Sequence, residues 1–228
     1  MSGPSSTAAD ATAIRTPFAS NPALGVMNAL MFWRARGLMA RVVPLLRRRA
    51  TILDVGCGTG HNAERLRRLG LGPVSQVDIV DFTVVGPRPA LFDGGALPFW
   101  DAQFDAVTLV YVLHYTRDPV ALLKEARRVC RSTLIVMQTV CEGSTGPRFH
   151  RLNEFISRLA FYAARRLGAI HPVPCPLNSG CYFSRARFLQ VAQQAGLVPS
   201  WLQVERHFPL LPLLRITCKL EPLKVPGR

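Results

Sequence analysis

Apolar and polar positions change period several times along the chain. Met27, Leu30, Met31, Leu38, Met39 and Val42 recur at helical spacing, with Arg34, Arg36 and Arg41 between them. The pattern predicts a helix over 27–42, and Pro44 stops it. After the basic run Arg47-Arg48-Arg49 comes a short apolar strand over 51–55. A charged helix follows over about 62–69, ended by Gly70. Further strands are expected over 74–79, 90–92, 105–112 and 134–140, the fourth strand almost wholly apolar (AVTLVYV). Before the last of these, Asp118 is placed to cap a helix with Pro119 at its first position, running to about Arg131. Near-continuous apolar strands alternating with helices indicate an α/β fold, with a parallel sheet covered on both faces.

Past the fifth strand the rhythm changes. Residues 149–167 carry Leu152, Phe155, Ile156, Leu159 and Tyr162 on one helical face and Arg151, Arg158 and Arg165 on another. Such spacing serves a core face or a lid over an apolar substrate. A proline-rich stretch, HPVPCPLNSG, leads to Ser184, which caps a helix ending near Gly196. Two extended stretches, 200–207 and 213–220, close the chain as a hairpin-like pair around PLLP. The expected organisation is a flexible tail over 1–24, rich in Ser, Ala, Thr and Pro, and a single domain over 25–228.

Composition narrows the class. Hydrophobic residues make up 49% and charged residues 18%, which reads as globular. No apolar run approaches the ~18 residues of a membrane span. The first residues lack a basic start and an apolar core, so no secretory signal is expected. Six cysteines without Cys-x-x-Cys spacing argue against a zinc site and a disulfide framework. Reduced thiols in a cytoplasmic protein account for them. No metal is expected. The formal charge is +14, and it is uneven: residues 1–144 hold 16 Lys or Arg against 11 acids, residues 145–228 hold 12 against 3. A basic last third favours anionic partners: nucleic acid, a membrane surface, an acidic carrier protein or a phosphorylated substrate.

The chemistry-bearing stretch is ILDVGCGTGHNAERL, residues 52–66: strand, glycine-rich turn, charged helix. A phosphate-binding loop would need Gly-Lys-Ser/Thr at its end, which is absent. A dinucleotide fingerprint is Gly-x-Gly-x-x-Gly, but here Gly56, Gly58 and Gly60 alternate, so the third glycine comes one residue early. Asp54 at the mouth of the turn is a poor neighbour for pyrophosphate and a good one for a cationic ligand such as an ammonium or sulfonium. Asp78 ends the second strand 18 residues beyond Gly60, where a carboxylate can accept from two ribose hydroxyls. Then follows FDGGALPFWDAQFDAVTLVYVLHYTRDP.

Taken together, Asp54-x-Gly56-x-Gly58-x-Gly60, Asp78 and this last segment resemble the class I S-adenosylmethionine-dependent methyltransferase family, in its small-molecule branch. The likeness extends over roughly residues 50–140 and more weakly to the end. It implies a Rossmann-like, mostly parallel seven-stranded sheet with helices on both faces and an antiparallel last strand. It divides the domain into a cofactor half over 50–140, a substrate-pocket or lid insertion over 141–183, and a closing helix and strand pair over 184–228. The implied cofactor is S-adenosyl-L-methionine, leaving as S-adenosyl-L-homocysteine. Asp54 would lie near its ammonium, usually through water. Gly56, Cys57, Gly58 and Gly60 would carry backbone along its methionine part. Asp78 would hold the ribose, Ile79 would flank the adenine, and Asp93, with Gly94, would meet the adenine amino group. Val110 and Tyr111 would lie where the fourth strand meets the cofactor.

His114 is the candidate general base, because family members often carry His or Glu there. A structural or substrate-lining role is the alternative, and Tyr115 stands where a second His is frequent. Tyr115, His150, His171 and Tyr182 are candidate substrate contacts, and Cys175 and Asn178 lie in the same segment. The expected activity is methyl transfer to a small molecule: a phenol, a quinone-like ring or a natural-product intermediate, anionic or carrier-bound. Three alternatives stand beside it. An RNA or protein methyltransferase would dock through the basic last third. A catalytically silent subunit would bind a partner through its Arg face. Peripheral membrane contact through the helix at 27–42 would suit a lipidic substrate.

Overall fold

The computed structural model describes residues 22–141, 183–206 and 213–223, with isolated helical positions between 148 and 166. Seven strands form one sheet: β1 (Ile52–Val55), β2 (Val74–Asp78), β3 (Ala90–Leu91), β4 (Phe104–Val110), β5 (Cys130–Cys141), β6 (Leu197–Arg206) and β7 (Leu213–Pro222). Their spatial order is β3-β2-β1-β4-β5-β7-β6. The first five strands run parallel, and β7 is inserted antiparallel between β5 and β6. This is the Rossmann-like arrangement expected. The sheet order reverses beside β1, between β1 and β4, which is where ligands bind open α/β sheets.

Among the described residues, four α-helices flank the sheet: α1 (Pro22–Val42), α2 (His61–Arg68), α3 (Pro119–Val129) and α4 (Arg185–Gln194). Side chains alternate across each strand, so the sheet feeds two cores. Leu53, Val55, Val107, Leu109 and Val136 point to one, shared with Leu123 and Ala126 of α3 and Phe188 and Val191 of α4. Ile52, Ala106, Val110, Ile135 and Met137 point to the other, shared with Leu38, Met39 and Val42 of α1 and Leu66 of α2. Both expected caps form: Asp118 accepts from the Ala121 N–H at 2.9 Å, and Ser184 accepts from the Arg187 N–H at 3.1 Å.

The structure moves several boundaries. Helix α1 begins at Pro22, inside the stretch read as tail. Strand β4 stops at Val110 because Tyr111 takes φ 59°, a left-handed conformation that breaks the ladder. Strand β5 starts at Cys130, directly after α3, and runs twelve residues, since its outer half pairs with β7. On the helix expected over 149–167, Leu152, Phe155, Ile156, Leu159 and Tyr162 are exposed, so these positions do not serve a core.

Helix α1 divides sharply between buried and open positions. Met39 is 1% exposed and Trp33 76%. Met39→Ala is therefore expected to cost about 2–5 kcal/mol in urea or thermal unfolding, and Trp33→Ala no more than about 0.5 kcal/mol.

Candidate active site

The site grows from one buried acid. Asp54 occupies β1, 1% exposed, in register with Thr108 of β4 on one side and Gln76 of β2 on the other. The three form a polar row across an otherwise apolar sheet face. Thr108 Oγ1 donates to Asp54 Oδ1 at 2.8 Å, while Oδ2 is buried with no hydrogen-bond partner among the described residues. Burial pushes the carboxyl up to about 7; the Thr108 hydrogen bond opposes this, and the Asp78 charge reinforces it. An acid held this way favours a cationic neighbour.

Beyond Asp54 the chain turns back on itself. Gly56 has φ 68°, and a Cβ there would meet the Val112 side chain at 2.6 Å. Gly60 has φ 83° and would drive a Cβ to 2.4 Å from the Val85 carbonyl oxygen. These two positions require glycine, for conformation and for space. The turn is anchored from β2, where the Val77 carbonyl accepts from Gly56 N–H at 2.8 Å. It is closed by the loop after β2, whose Val84 N–H donates to the Thr59 carbonyl at 3.1 Å. Cys57 contributes backbone only: its side chain is buried, and burial raises its thiol far above the ordinary range.

Helix α1 clamps the far end of the turn. His61 opens α2 with Nδ1 2.9 Å from Thr59 Oγ1 and Nε2 2.9 Å from Asn28 Oδ1. Phe32 stacks edge-on against the imidazole, with ring centroids 4.8 Å apart. Burial, with Arg34 and Arg68 nearby, lowers His61 to about 4, so the ring is neutral. A neutral ring matches its partners: Nδ1 accepts from the threonine hydroxyl and Nε2–H donates to the amide oxygen.

At the end of β2, Asp78 Oδ2 accepts from Gly58 N–H at 2.8 Å and Oδ1 from Ile79 N–H at 2.7 Å. Each oxygen keeps a further lone pair. Ile79 is 49% exposed, and its Cγ2 lies 3.8 Å from a Cβ built on Gly94. An open isoleucine beside bare backbone is a surface that a flat ring would cover. Asp93 is exposed, and its Oδ1 accepts from Gly95 N–H at 2.9 Å.

Past β4, Val110 is buried in the α1 core, and the backbone reverses at Tyr111. The Arg34 guanidinium sits over the Tyr111 ring, 5.3 Å from its centroid. His114 is buried, its Nδ1 2.7 Å from Gln138 Nε2, and its ring lies 3.9 Å from that of Tyr115. Gln138 Oε1 is buried without a partner among the described residues.

Asp54, Gly56, Cys57, Gly58, Gly60, Asp78, Ile79, Asp93 and Gly94 therefore gather along the carboxyl edge of β1–β3, with Val110, Tyr111, His114 and Tyr115 beside them at β4. His150, His171 and Tyr182, with Cys175 and Asn178, lie outside the described residues. Sequence reasoning missed Thr108, the lone polar residue among the buried positions of β4, and His61, the imidazole directly behind the third glycine. Both had a signal in the motif itself. The Asn28–His61 clamp had none, because its partners are 33 positions apart.

A family profile described as "Methyltransferase domain" matches residues 27–199, well over half the chain. The chain belongs to the class I S-adenosylmethionine-dependent methyltransferase family. The cofactor of this family is S-adenosyl-L-methionine. Among curated relatives it is 28% identical over 192 residues to tRNA U34 carboxymethyltransferase of Methylococcus capsulatus, covering 76% of this chain and 56% of that protein. It is 26% identical over 146 residues to the mitochondrial arginine-hydroxylase NDUFAF5 of Mus musculus, covering 61% and 41%. The chain thus spans about half the length of the curated relatives it matches. The fold is shared with Burkholderia thailandensis 1,6-didemethyltoxoflavin-N1-methyltransferase, a structure with bound 1,6-didemethyltoxoflavin and S-adenosylhomocysteine: TM-score 0.55 at 15% identity, covering 85% of this chain and 79% of that one.

The residues of this chain fit the cofactor of the family. The orphaned Asp54 Oδ2 suits an ammonium, the spare lone pairs of Asp78 suit a ribose diol, and the open Ile79–Gly94 surface suits adenine.

A folded-state pKa raised above the unfolded value makes Asp54 cost stability as its charge develops. That cost grows from the ordinary carboxylate range up through pH 7. Asp54→Asn keeps an acceptor for Thr108 and removes the charge. Its Tm, relative to wild type, is expected to rise progressively between about pH 4 and about pH 7 and to level off above, while S-adenosylhomocysteine binding weakens. A Tm difference flat with pH would contradict the buried-acid account.

Proposed function

We propose that this chain transfers a methyl group from S-adenosyl-L-methionine to a small-molecule acceptor at the carboxyl edge of β4. When bound, the cofactor supplies a methyl on a sulfonium, a leaving group that needs no activation. What the chain then provides is alignment: holding donor and acceptor in line is worth on the order of 7–11 kcal/mol. The observation that carries the small-molecule reading is the turn after β4. It is Tyr-Val-Leu-His-Tyr, with His114 buried against Gln138 and its ring tilted against that of Tyr115. It lacks the Asn/Asp-Pro-Pro-Tyr/Phe sequence that base-amine methyltransferases use.

His114 is positioned to take the proton that a neutral hydroxyl or amine acceptor must lose. With the Gln138 amide oxygen toward the ring, Nδ1–H donates, the buried Oε1 is satisfied, and Nε2 is the unprotonated nitrogen. With the amide nitrogen toward the ring, Nε2 is a donor and orients an acceptor oxygen instead. An acceptor already ionised needs neither.

A second reading is methylation of RNA. The relative acting on tRNA U34 and the excess of 12 cationic over 3 acidic residues after position 144 favour it.

The test follows a labelled methyl group from S-adenosyl-L-methionine into an extract of the source cells, separated into organic-soluble, RNA and protein fractions. Label in the organic-soluble fraction is expected; label confined to RNA establishes the second reading. On the product so found, His114→Ala is expected to lower kcat about 100-fold or more with S-adenosylhomocysteine affinity unchanged. Full kcat would remove His114 from the chemistry.

A further inference from the structure

Helix α1 is apolar on two opposite sides. Leu38, Met39 and Val42 are buried against the sheet. On the other side Val26, Leu30 and Trp33, spaced i, i+4, i+7, are 62%, 56% and 76% exposed. Gly37 and Ala40 continue the same line and are also exposed. A helix that is apolar all round is normally covered all round. Among the described residues, this outer line is left open.

The charge beside it has one sign. Residues 22–53 hold six arginines and no aspartate or glutamate. Two of the six are engaged by the protein: Arg34 lies over the Tyr111 ring, and Arg41 binds Glu205. The other four are exposed and have no acidic partner among the described residues. Arg36 follows Trp33 by three positions and so borders the apolar line. Arg47, Arg48 and Arg49 come just past the C-terminal end of the helix.

Aliphatic and indole side chains bordered by cations match a lipid surface with anionic headgroups. Acyl chains would take Val26 and Leu30, the indole would sit at the headgroup boundary, and lipid phosphates would meet the guanidinium groups. Among the described residues no helix is long and apolar enough to cross a membrane, so α1 would rest on the surface. Other occupants fit less well. A second copy would set arginines against arginines. So would the other exposed apolar stripe of this chain, where Arg148, Arg151, Arg158 and Arg166 stand among Leu152, Phe155, Ile156 and Leu159. Residues 1–21 are rich in Ser, Ala and Thr and offer little to bury. An RNA would engage the arginines and the indole but leave the aliphatic positions unused.

We propose that the outer face of α1, formed by Val26, Leu30, Trp33 and Arg36 and extended by the arginines at 47–49, docks the protein on an anionic lipid surface. The proposal goes beyond methyl transfer and does not depend on it. Asn28 and Phe32, toward the other side of the helix, contact His61 at the end of the glycine turn. A docked surface would therefore lie one helix diameter, about 10 Å, from that turn.

Co-sedimentation of the full chain tests it, with vesicles of equal parts phosphatidylglycerol and phosphatidylcholine and with vesicles of phosphatidylcholine alone. Binding to the anionic vesicles is expected, about 10-fold or more tighter than to the neutral ones, and weakening as salt is raised. The double variant Leu30→Ala, Trp33→Ala is expected to lose about 10-fold or more of that affinity. Arg36→Glu, which leaves the apolar line intact, is expected to weaken it as well. Trp100→Ala, an exposed indole outside α1, is expected to bind as wild type. No sedimentation with anionic vesicles overturns the proposal. So does equal binding to neutral vesicles, or binding that the double variant leaves unchanged. If vesicles do not bind, a doubling of mass in analytical ultracentrifugation that the double variant abolishes would assign the face to a second copy. Binding of polyuridylate that the same variant abolishes would assign it to RNA.

Discussion

The carboxyl group of Asp54 lies out of water, one oxygen on Thr108 and the other unpartnered among the described residues, and the rest of the site is arranged around that cost. An acid removed from water is expensive unless it neutralises or finds a cation. Here it does the first in the free protein, with its pKa raised to about 7. The position offers the second to a ligand. Parallel pairing of β1 with both β2 and β4 makes the burial possible, because the carboxylate is walled by Gln76 and Thr108 in lateral register.

Around this acid the backbone accepts conformations that ordinary segments avoid. Gly56, Gly58 and Gly60 turn through positive φ, and Tyr111 does so without being glycine. Such backbone persists only where the surroundings fix it. Val77, Val84 and Asp78 hold the glycine turn through hydrogen bonds, α1 closes it through Asn28 and His61, and Met137 holds Tyr111. Helix α1 is in turn secured by its C-terminal turns. Its apolar residues pack on β1, β4 and β5, and Arg41 reaches Glu205 on β6. The far edge of the sheet therefore braces the helix that covers the site.

Local signals carried most of the fold. The Asp118-Pro119 and Ser184 caps, the apolar strands and the Asp-x-Gly-x-Gly-x-Gly turn each depend on residues within a few positions, and each was legible. Asp78 and Ile79 were legible because a strand end places them. What escaped depends on distance along the chain or on packing. The early end of β4 follows from Tyr111, whose side chain gives no hint of left-handed backbone. The Arg41–Glu205 pair joins positions 164 apart, and β7 enters between β5 and β6 only through tertiary pairing. The exposed stripe from Leu152 to Tyr162 has core spacing and no core, a reminder that periodicity names a face and not what covers it.

The central claim is that Asp54 awaits a cation at the mouth of the glycine turn. It is tested most directly by counting protons released when S-adenosylhomocysteine binds, by calorimetry in two buffers of different ionisation enthalpy. With Asp54 near 7 in the free protein and ionised against the ligand's ammonium, release approaching one proton per site is expected at about pH 6, fading through pH 7 to little at about pH 8, and absent in Asp54→Asn. Binding with no proton release at either pH would show that the buried acid does not meet the ligand's charge, and would contradict this account of the site.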